Sequence, residues 1–170
     1  PEMFDWWFAW HSLDSLRYKI WDREDHLYCR TRNPEQVRNP ALSYREKYWH
    51  TTHDITEAFW PEPKDVAVPF IPPQEMGFSP EKLRDFGGTI IAMAGEDCRT
   101  ISCHFVRPAE GGVELRSRFW FGWCLSGGKP RRFDSERLPE QLPRALLLHN
   151  IKEFTNLARL LPRIFPEERD

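Results

Sequence analysis

The sequence has no long apolar run and no closely spaced pair of cysteines. None of its segments approaches the roughly 20 consecutive apolar residues that span a bilayer, which argues against a membrane protein. The four cysteines contain no Cys-x-x-Cys pair; they are Cys29, Cys98, Cys103 and Cys124. This spacing argues against a sulfur-ligated zinc site and against a disulfide framework. We therefore expect reduced, mostly buried thiols in a cytoplasmic protein.

An excess of charge of one sign is also missing. The chain has 24 Lys and Arg residues against 26 Asp and Glu, so we expect no general attraction to nucleic acid. The basic loop 126–137 contains Gly127-Gly128-Lys129 but lacks the full phosphate-binding pattern. No secretory signal is visible. Because the chain begins with Pro1 and not with Met, we expect the natural protein to have a further N-terminal part.

Aromatic side chains, by contrast, are plentiful. They make up 14% of the 170 residues, and hydrophobic residues make up 40%. This length and composition predict one domain over residues 1–170 with a substantial core. The aromatic residues suit either a bulky core or a cavity with flat apolar walls, and composition does not decide between the two.

Local patterns predict an α+β fold. The first half is expected to contain a helix over 3–10, a strand over 49–59, a proline-rich connection over 61–73 and a short helix that begins after Ser79 and stops at Gly87-Gly88. The second half is expected to contain strands over 89–94, 99–107 and 113–123, then a long helix over 140–161 that is broken by Pro162. Because an antiparallel sheet needs one face covered, we expect the sheet to curl around this helix and enclose a cavity.

Two residues of the last helix are the first candidates for a site. His149 and Glu153 are four apart and lie outside the polar arc of the helix, so they share a side that is expected to face the core. A buried imidazole and carboxylate are costly unless they are paired or bind a metal. The spacing is explained equally by a simple helical His–Glu contact.

Two residues elsewhere in the chain have the same chemistry. His11 lies where the first helix ends, and Glu57 shares a strand face with Ile55 and Phe59. A helix-terminal histidine and an edge-strand charge that faces water are the ordinary explanations. Taken together with His149 and Glu153, the two imidazoles and two carboxylates suit zinc and would also suit iron or manganese.

Several runs of the sequence resemble one family, that of the diacetylphloroglucinol and phloretin hydrolases. The most specific run extends from Asp5 to Asp22. Three later runs are His104-Phe105-Val106-Arg107, Glu114 to Trp120, and His149-x-x-x-Glu153. The resemblance covers nearly the whole chain.

The resemblance implies a Bet v 1-like helix-grip fold, which agrees with the predicted element order. It also implies one zinc ion, with ligands that fall on His11, Glu57, His149 and Glu153. Glu46 is the alternative to Glu57, because the segment after Asp25 can differ in length between relatives. A second histidine of the family matches His104, for which a strand histidine that bonds the backbone is an equal alternative.

The chain departs from the family at three positions expected to contact the substrate. Family members have an Asn three residues after the helix histidine, where this chain has Asp14, and tyrosines where it has Met3 and Phe119. A phenolic OH lost at Phe119 removes a hydrogen bond that a polyhydroxylated ring would use. We therefore expect a substrate with fewer ring hydroxyls, or a bulkier apolar acyl part, than diacetylphloroglucinol.

The family reaction is hydrolysis of an aryl ketone to a phenol and a carboxylic acid. A metal would polarise the acyl carbonyl and lower the pKa of water, and His104 would act as the general acid and base.

A competing hypothesis is a non-catalytic carrier of aromatic molecules, which would not need four metal-type side chains. An interaction domain has only the basic loop 129–132 in its favour. The expected partner is a small aromatic ketone and not a nucleic acid or a membrane. The sequence does not decide whether the chain forms a homo-oligomer.

Overall fold

Antiparallel strands and one long C-terminal helix form the framework, as predicted for a mixed α+β protein. A computed structural model describes residues 1–95, 100–132 and 139–169. The helices are α1 Glu2–Trp10, α2 Ser15–Trp21, α3 Pro34–Arg38, α4 Tyr44–Tyr48, α5 Pro80–Phe86 and α6 Leu142–Glu168, with 3₁₀ turns at His11–Leu13 and Pro73–Met76. The strands are β1 His26–Thr31, β2 Thr52–Glu57, β3 Lys64–Pro69, β4 Thr89–Ala94, β5 Thr100–Ala109, β6 Gly112–Phe121, β7 Trp123–Ser126 and β8 Lys129–Arg132. Within these described ranges, no helix is long and apolar enough to cross a membrane.

The strands form two three-stranded antiparallel sheets and a hairpin. One sheet has the order β1-β2-β3, the other has the order β4-β5-β6, and β7 pairs with β8. A bridge between Phe70 and Met93 joins the two larger sheets, and the amide of Ile71 donates to the carbonyl of Ala92 at 2.9 Å beside it. Backbone pairing therefore continues from the first three-stranded sheet into the second.

An aromatic core lies between α1, α2, α6 and the strands. Trp7, Tyr48 and Leu157 are fully buried, and Trp6 and Phe165 pack edge to face at a centroid distance of 5.3 Å. Helix α6 is attached to α2 by Asn156, whose side-chain amide donates to the carbonyls of Ile20 and Trp21. The core thereby fixes the side of α6 that faces the sheet.

Several predicted elements are confirmed. Ser79 caps α5 through a bond from the amide of Lys82, and Gly87 ends that helix in the left-handed conformation. Strand β4 has the predicted bounds, and β5 and β6 lie within two residues of theirs in the described part of the chain. Cys98 lies outside the described residues.

Other predictions were wrong. The proline-rich connection 61–73 contains β3, which pairs with β2. Strand β1, for which no element was predicted, pairs with the other side of β2. The predicted loop 126–137 contains β8, which pairs with β7, while residues 133–138 lie outside the described ranges. Helix α6 is not broken at Pro162 but continues to Glu168. Because Leu157, Leu161 and Phe165 are buried on one side of it, core packing outweighs the roughly 3 kcal/mol that an interior proline costs.

Candidate metal centre and active site

A cavity of about 250 Å³ lies between the strands and the N-terminal half of α6. Its walls are mainly apolar and aromatic, with contributions from α1, β2 to β6 and α6. The polar and titratable side chains that line it are His11, Tyr18, His53, Glu57, Thr100, Ser102, His104, His149 and Glu153. A flat, largely apolar molecule with a few polar groups suits such a space.

Four side chains near this cavity, of which Glu57 is half-buried and the others are buried, converge into what we call the His26 group: His26, Glu57, His149 and Glu153. Nε2 of His26 lies 3.9 Å from Oε1 of Glu57 and 3.6 Å from Oε2 of Glu153. Nε2 of His149 lies 4.0 Å from Oε2 of Glu153. One ligand atom each from His26, Glu57 and His149 lie within 4.8 Å of one another.

Hydrogen bonds orient His26 toward this group. Its Nδ1 lies 3.1 Å from the carbonyl oxygen of Tyr18, so Nδ1 must be the donor and Nε2 carries the lone pair. The ring of Tyr18 stacks on the imidazole at 3.8 Å. Among the described residues, Nε2 of His26 is buried without a hydrogen-bond partner. Burial alone would lower the pKa of His26, but Glu153 and Glu57 outweigh it and raise that pKa.

His149 is oriented from the opposite side. Its Nδ1 donates to Oδ2 of Asp25 at 3.0 Å, which leaves Nε2 facing Glu153. Nζ of Lys152 lies 2.5 Å from the same Asp25 oxygen. Although partial burial opposes it, the hydrogen bonds from Lys152 and His149 lower the pKa of Asp25. Asp25 therefore remains an anion that holds the imidazole.

The two carboxylates are placed by strand register and by helix docking. Glu57 pairs with His26 across β1 and β2, and the Tyr18 hydroxyl donates to its Oε1. Glu153 follows His149 by one helical turn, and the indole of Trp21 donates to its backbone carbonyl at 3.0 Å. Burial raises the pKa of Glu153, which is 6% exposed. A cation at this point would offset the cost of burying that charge.

The donor set of the His26 group fits a metal ion. In a tetrahedral site with bonds of about 2.0–2.2 Å, the ligand atoms lie about 3.3–3.6 Å apart, and three nitrogen–oxygen separations in this group are already 3.6–4.0 Å. Each imidazole donates its other ring nitrogen to an oxygen, as metal-bound histidines do. Two nitrogen and two oxygen ligands suit zinc, iron or manganese.

The structure brings three of the four sequence-predicted ligands together and places His11 elsewhere. Nδ1 of His11 donates to the carbonyl of Trp7 at 2.7 Å, and the ring packs at 5.5 Å from that of His53. His11, Cys29 and His53 form a separate buried group. Burial lowers the pKa of His11 to about 3, and that of His53 also falls well below its usual value, so both imidazoles are neutral.

His104 lies on the cavity wall. Its Nδ1 is 2.8 Å from Oγ of Ser117, and its ring contacts those of Phe154 at 4.9 Å and Phe119 at 6.0 Å. Its hydrogen-bond partner among the described residues is therefore a serine hydroxyl. Burial lowers the pKa of His104 to about 4, so the ring is neutral at pH 7.

The remaining predicted residues divide between cavity and surface. Phe119 lines the cavity, as the predicted position requires. Asp14 is not among the described lining residues; it caps α2 by accepting from the amide of Leu16 at 2.8 Å and lies 3.6 Å from Arg30. Glu46, the alternative to Glu57, closes a capping box with Ser43 at the start of α4. Its carboxylate therefore does not join the His26 group.

His26 and Tyr18 were not predicted from the sequence. Residues 22–25 are all charged and resemble a turn, which concealed the strand that begins at His26. The one signal in the sequence was the run after it, whose Leu, Tyr, Cys and Thr are consistent with a short strand. Only the register of β1 against β2 places His26 opposite Glu57.

Comparison with known proteins gives one family model and several relatives. The family described as DAPG hydrolase PhiG domain matches residues 1–166. Phloretin hydrolase of Eubacterium ramulus is 36% identical over 99% of this chain and 64% of its own length. The 2,4-diacetylphloroglucinol hydrolases of a Pseudomonas species and of Pseudomonas protegens are 25% and 24% identical over 98% of this chain, which covers 63% and 60% of their lengths. The chain thus spans less than two thirds of these relatives.

Proposed function

Because this chain belongs to the DAPG hydrolase PhiG domain family, we propose that it is a metal-dependent hydrolase that cleaves the carbon–carbon bond between an acyl group and a phenolic ring. The family resemblance of the run Asp5 to Asp22 is confirmed by this match and by the relatives. For the chain itself, the metal, the reaction and the substrate are our proposals.

The observation that carries the proposal is the His26 group beside an aromatic cavity. We propose His26, Glu57, His149 and Glu153 as the ligands of one zinc ion, so that His26 replaces His11 in the predicted set. A buried imidazole nitrogen that faces two carboxylates, with no hydrogen-bond partner among the described residues, has the surroundings of a metal ligand. A metal bound there would polarise an acyl carbonyl and lower the pKa of water.

His104 supplies the proton transfer in this proposal. Loss of the acyl group needs a proton on the ring carbon, so that the ring leaves as a stabilised enolate and not as a bare carbanion. The neutral imidazole of His104 can accept a proton from a ring hydroxyl and return it to that carbon. Ser117 holds the imidazole in place through Nδ1. Water then adds to the acyl carbonyl, and the carbon–carbon bond breaks to give the carboxylic acid and the phenol.

Replacing His11 with His26 also moves two of the expected substrate positions. Met3 and Asp14 lie eight residues before and three residues after His11, and the same offsets from His26 reach Tyr18 and Cys29. Tyr18 lines the cavity, and Cys29 is fully buried. We therefore propose Tyr18 in place of Met3, and Phe119 remains the position where a family tyrosine is lost.

The apolar Phe119 suggests which substrate is preferred. The relative named phloretin hydrolase is more similar to this chain than the two diacetylphloroglucinol hydrolases are. Phloretin has a long arylalkyl acyl chain, and a methylene buried against Phe119 would gain about 0.8 kcal/mol. We propose an aryl ketone with a bulkier acyl part than diacetylphloroglucinol.

We also propose that residues 1–170 form one helix-grip domain of the Bet v 1 type. The bridge between β3 and β4 makes the six main strands continuous, and α6 lies across the cavity they enclose. This arrangement supports the proposed fold.

The test combines metal analysis with turnover. We expect the purified protein to bind zinc and to convert phloretin faster than 2,4-diacetylphloroglucinol, with both products detected by chromatography. His26→Asn keeps a donor near the position of Nδ1 but removes Nε2, and should lose turnover and one metal equivalent. His50→Asn is the control, because His50 is exposed and has φ 59°, a conformation that Asn tolerates. Binding of both ketones by the metal-loaded protein without any turnover would instead identify a carrier.

A further inference from the structure

A second group of metal-type side chains lies outside the His26 group. His11, Cys29 and His53 come from the first 3₁₀ turn, from β1 and from β2. None of the three is more than 2% exposed. One ligand atom from each lies within 4.8 Å of the other two. Three elements distant in the sequence therefore place two imidazoles and a thiol at one buried point.

Hydrogen bonds fix which nitrogen of each imidazole is free to bind a metal. Nδ1 of His11 donates to the Trp7 carbonyl, so its Nε2 carries a lone pair. The Thr51 hydroxyl donates to the carbonyl of Tyr48 at 2.6 Å and therefore accepts from Nε2 of His53, 3.5 Å away. The lone pair of His53 is then on Nδ1. Both rings are thus held by an oxygen on one side and present an acceptor on the other, as metal-bound histidines do.

We propose that His11, Cys29 and His53 form a second site that binds one Zn²⁺ ion through two imidazole nitrogens and a thiolate. Zinc accepts nitrogen and sulfur ligands in this combination. Binding forms a metal–sulfur bond, and the thiol proton passes to solvent without any electron transfer. Because burial raises the pKa of Cys29, the thiol keeps its proton until a cation arrives.

The cavity gives this site both an entrance and a free coordination position. His11 and His53 line the same cavity as Glu57 and His149, so an ion can reach them from that space. Three protein ligands leave a fourth tetrahedral position for water or for an oxygen of a bound molecule. The site differs from the His26 group in its ligands, since only the second site includes sulfur. Its existence does not depend on the proposed reaction.

Cobalt(II) distinguishes the two sites because a thiolate ligand gives an intense charge-transfer band in the near ultraviolet. The metal-stripped protein is titrated with Co²⁺ under anaerobic conditions. We expect two equivalents to bind and the sulfur band to appear. In Cys29→Ser the band should vanish and the stoichiometry should fall to one. In His26→Asn the stoichiometry should also fall to one, but the band should remain.

Cys103→Ser is the matched control. Cys103 is also buried, at 1% exposure, and the metal-type groups found among the described residues do not include it. This variant should keep both equivalents and the band. A wild-type protein that binds one equivalent without the band overturns the second site but leaves the His26 site intact. A band that persists in Cys29→Ser belongs to another thiol and also overturns the proposal. If a variant fails to fold, a wild-type spectrum without the band still overturns it.

Discussion

The carboxylate of Asp25 lies between a proposed metal ligand and a lysine. It accepts from Nδ1 of His149 and from Nζ of Lys152, which also contacts Asp22 at 3.0 Å and Glu24 at 3.3 Å. Such a carboxylate fixes the ring orientation and makes the opposite nitrogen a better ligand. We predict that Asp25→Ala weakens zinc affinity by about 10- to 100-fold, measured by competition with a chelator.

Glu24→Ala is the control for that prediction. The Glu24 carboxylate also contacts Lys152, but its side chain is 82% exposed, whereas that of Asp25 is 16% exposed. A surface ion pair of this kind contributes roughly 0–1 kcal/mol, so zinc affinity should change little. Asp25→Asn, which can still accept from His149, should recover part of the loss. Equal affinities in all three variants would show that Asp25 does not position the ligand.

His104 should separate metal binding from catalysis. In His104→Asn the side-chain amide can keep the contact with Ser117, but the second ring nitrogen is lost. We predict normal metal content and a decrease in kcat of about 10²- to 10⁴-fold, which is typical of a lost general acid or base. Metal analysis and steady-state kinetics on the same preparation measure both. Near-normal turnover would make His104 a structural residue.

Residue patterns predicted some site members and concealed others for a physical reason. Helical spacing placed His149 and Glu153 on one face, because residues four apart must share a face. Strand alternation placed Glu57 on a face with apolar neighbours, and the family resemblance added the metal. His26 has no local periodicity to mark it, since its partner on β2 is 31 residues away and becomes its neighbour only when the strands pair. The choice between His11 and His26 therefore depended on tertiary structure.

Some helix and strand boundaries follow from local sequence signals, and others depend on tertiary packing. The cap at Ser79 and the left-handed Gly87 are local, and α5 begins and ends where they predict. Pro162 is also a strong local signal, yet α6 continues through it because its buried face extends to Phe165. Strand β3 is bordered by prolines but is held by its pairing with β2. In both cases long-range contacts outweigh the local preference.

The start of β4 depends on a glycine that no side chain can replace. A Cβ at Gly88 would lie 2.1 Å from the carbonyl oxygen of Val106 on the paired strand β5. That oxygen belongs to the backbone, so the strands would have to separate. We predict that Gly88→Ala lowers the free energy of unfolding by about 1–3 kcal/mol or more, measured by denaturant titration.

Gly112→Ala is the comparison for Gly88→Ala. Gly112 starts β6, its φ is not in the left-handed region, and a Cβ added to it would meet no described atom within 4 Å. At such a position, replacing Gly by Ala stabilises by about 0.4–1 kcal/mol through the unfolded chain. If both variants were equally stable, the close approach of β4 and β5 at Gly88 would not matter.

For the whole molecule, the unusual feature is a core that contains several neutral histidines. His11, His53 and His104 are each no more than 6% exposed, and burial lowers the pKa of every one of them. A buried imidazole that is neutral in the folded protein lowers stability when the pH falls far enough for the unfolded chain to bind its proton. The free energy of unfolding of this aromatic core should therefore depend on pH.

This linkage predicts a steep loss of stability in mild acid when metal is removed by a chelator. The unfolded chain takes up protons on these three histidines near pH 6.5, whereas folded His11 and His104 resist to about pH 3 and 4. Their stabilisation is present above pH 6.5 and is lost as pH falls toward the folded pKa values. Between pH 6 and 5 each of these histidines should lower the free energy of unfolding by up to about 1.36 kcal/mol, and Glu153, whose raised pKa acts in the opposite sense, should offset part of that fall. His26, whose pKa is raised, is protonated in both states at pH 5 and adds little in this window.

Denaturant titrations at several pH values measure the slope of the free energy of unfolding against pH. His104→Asn should reduce it by about one proton, and a wild-type slope below one proton would contradict the neutral core.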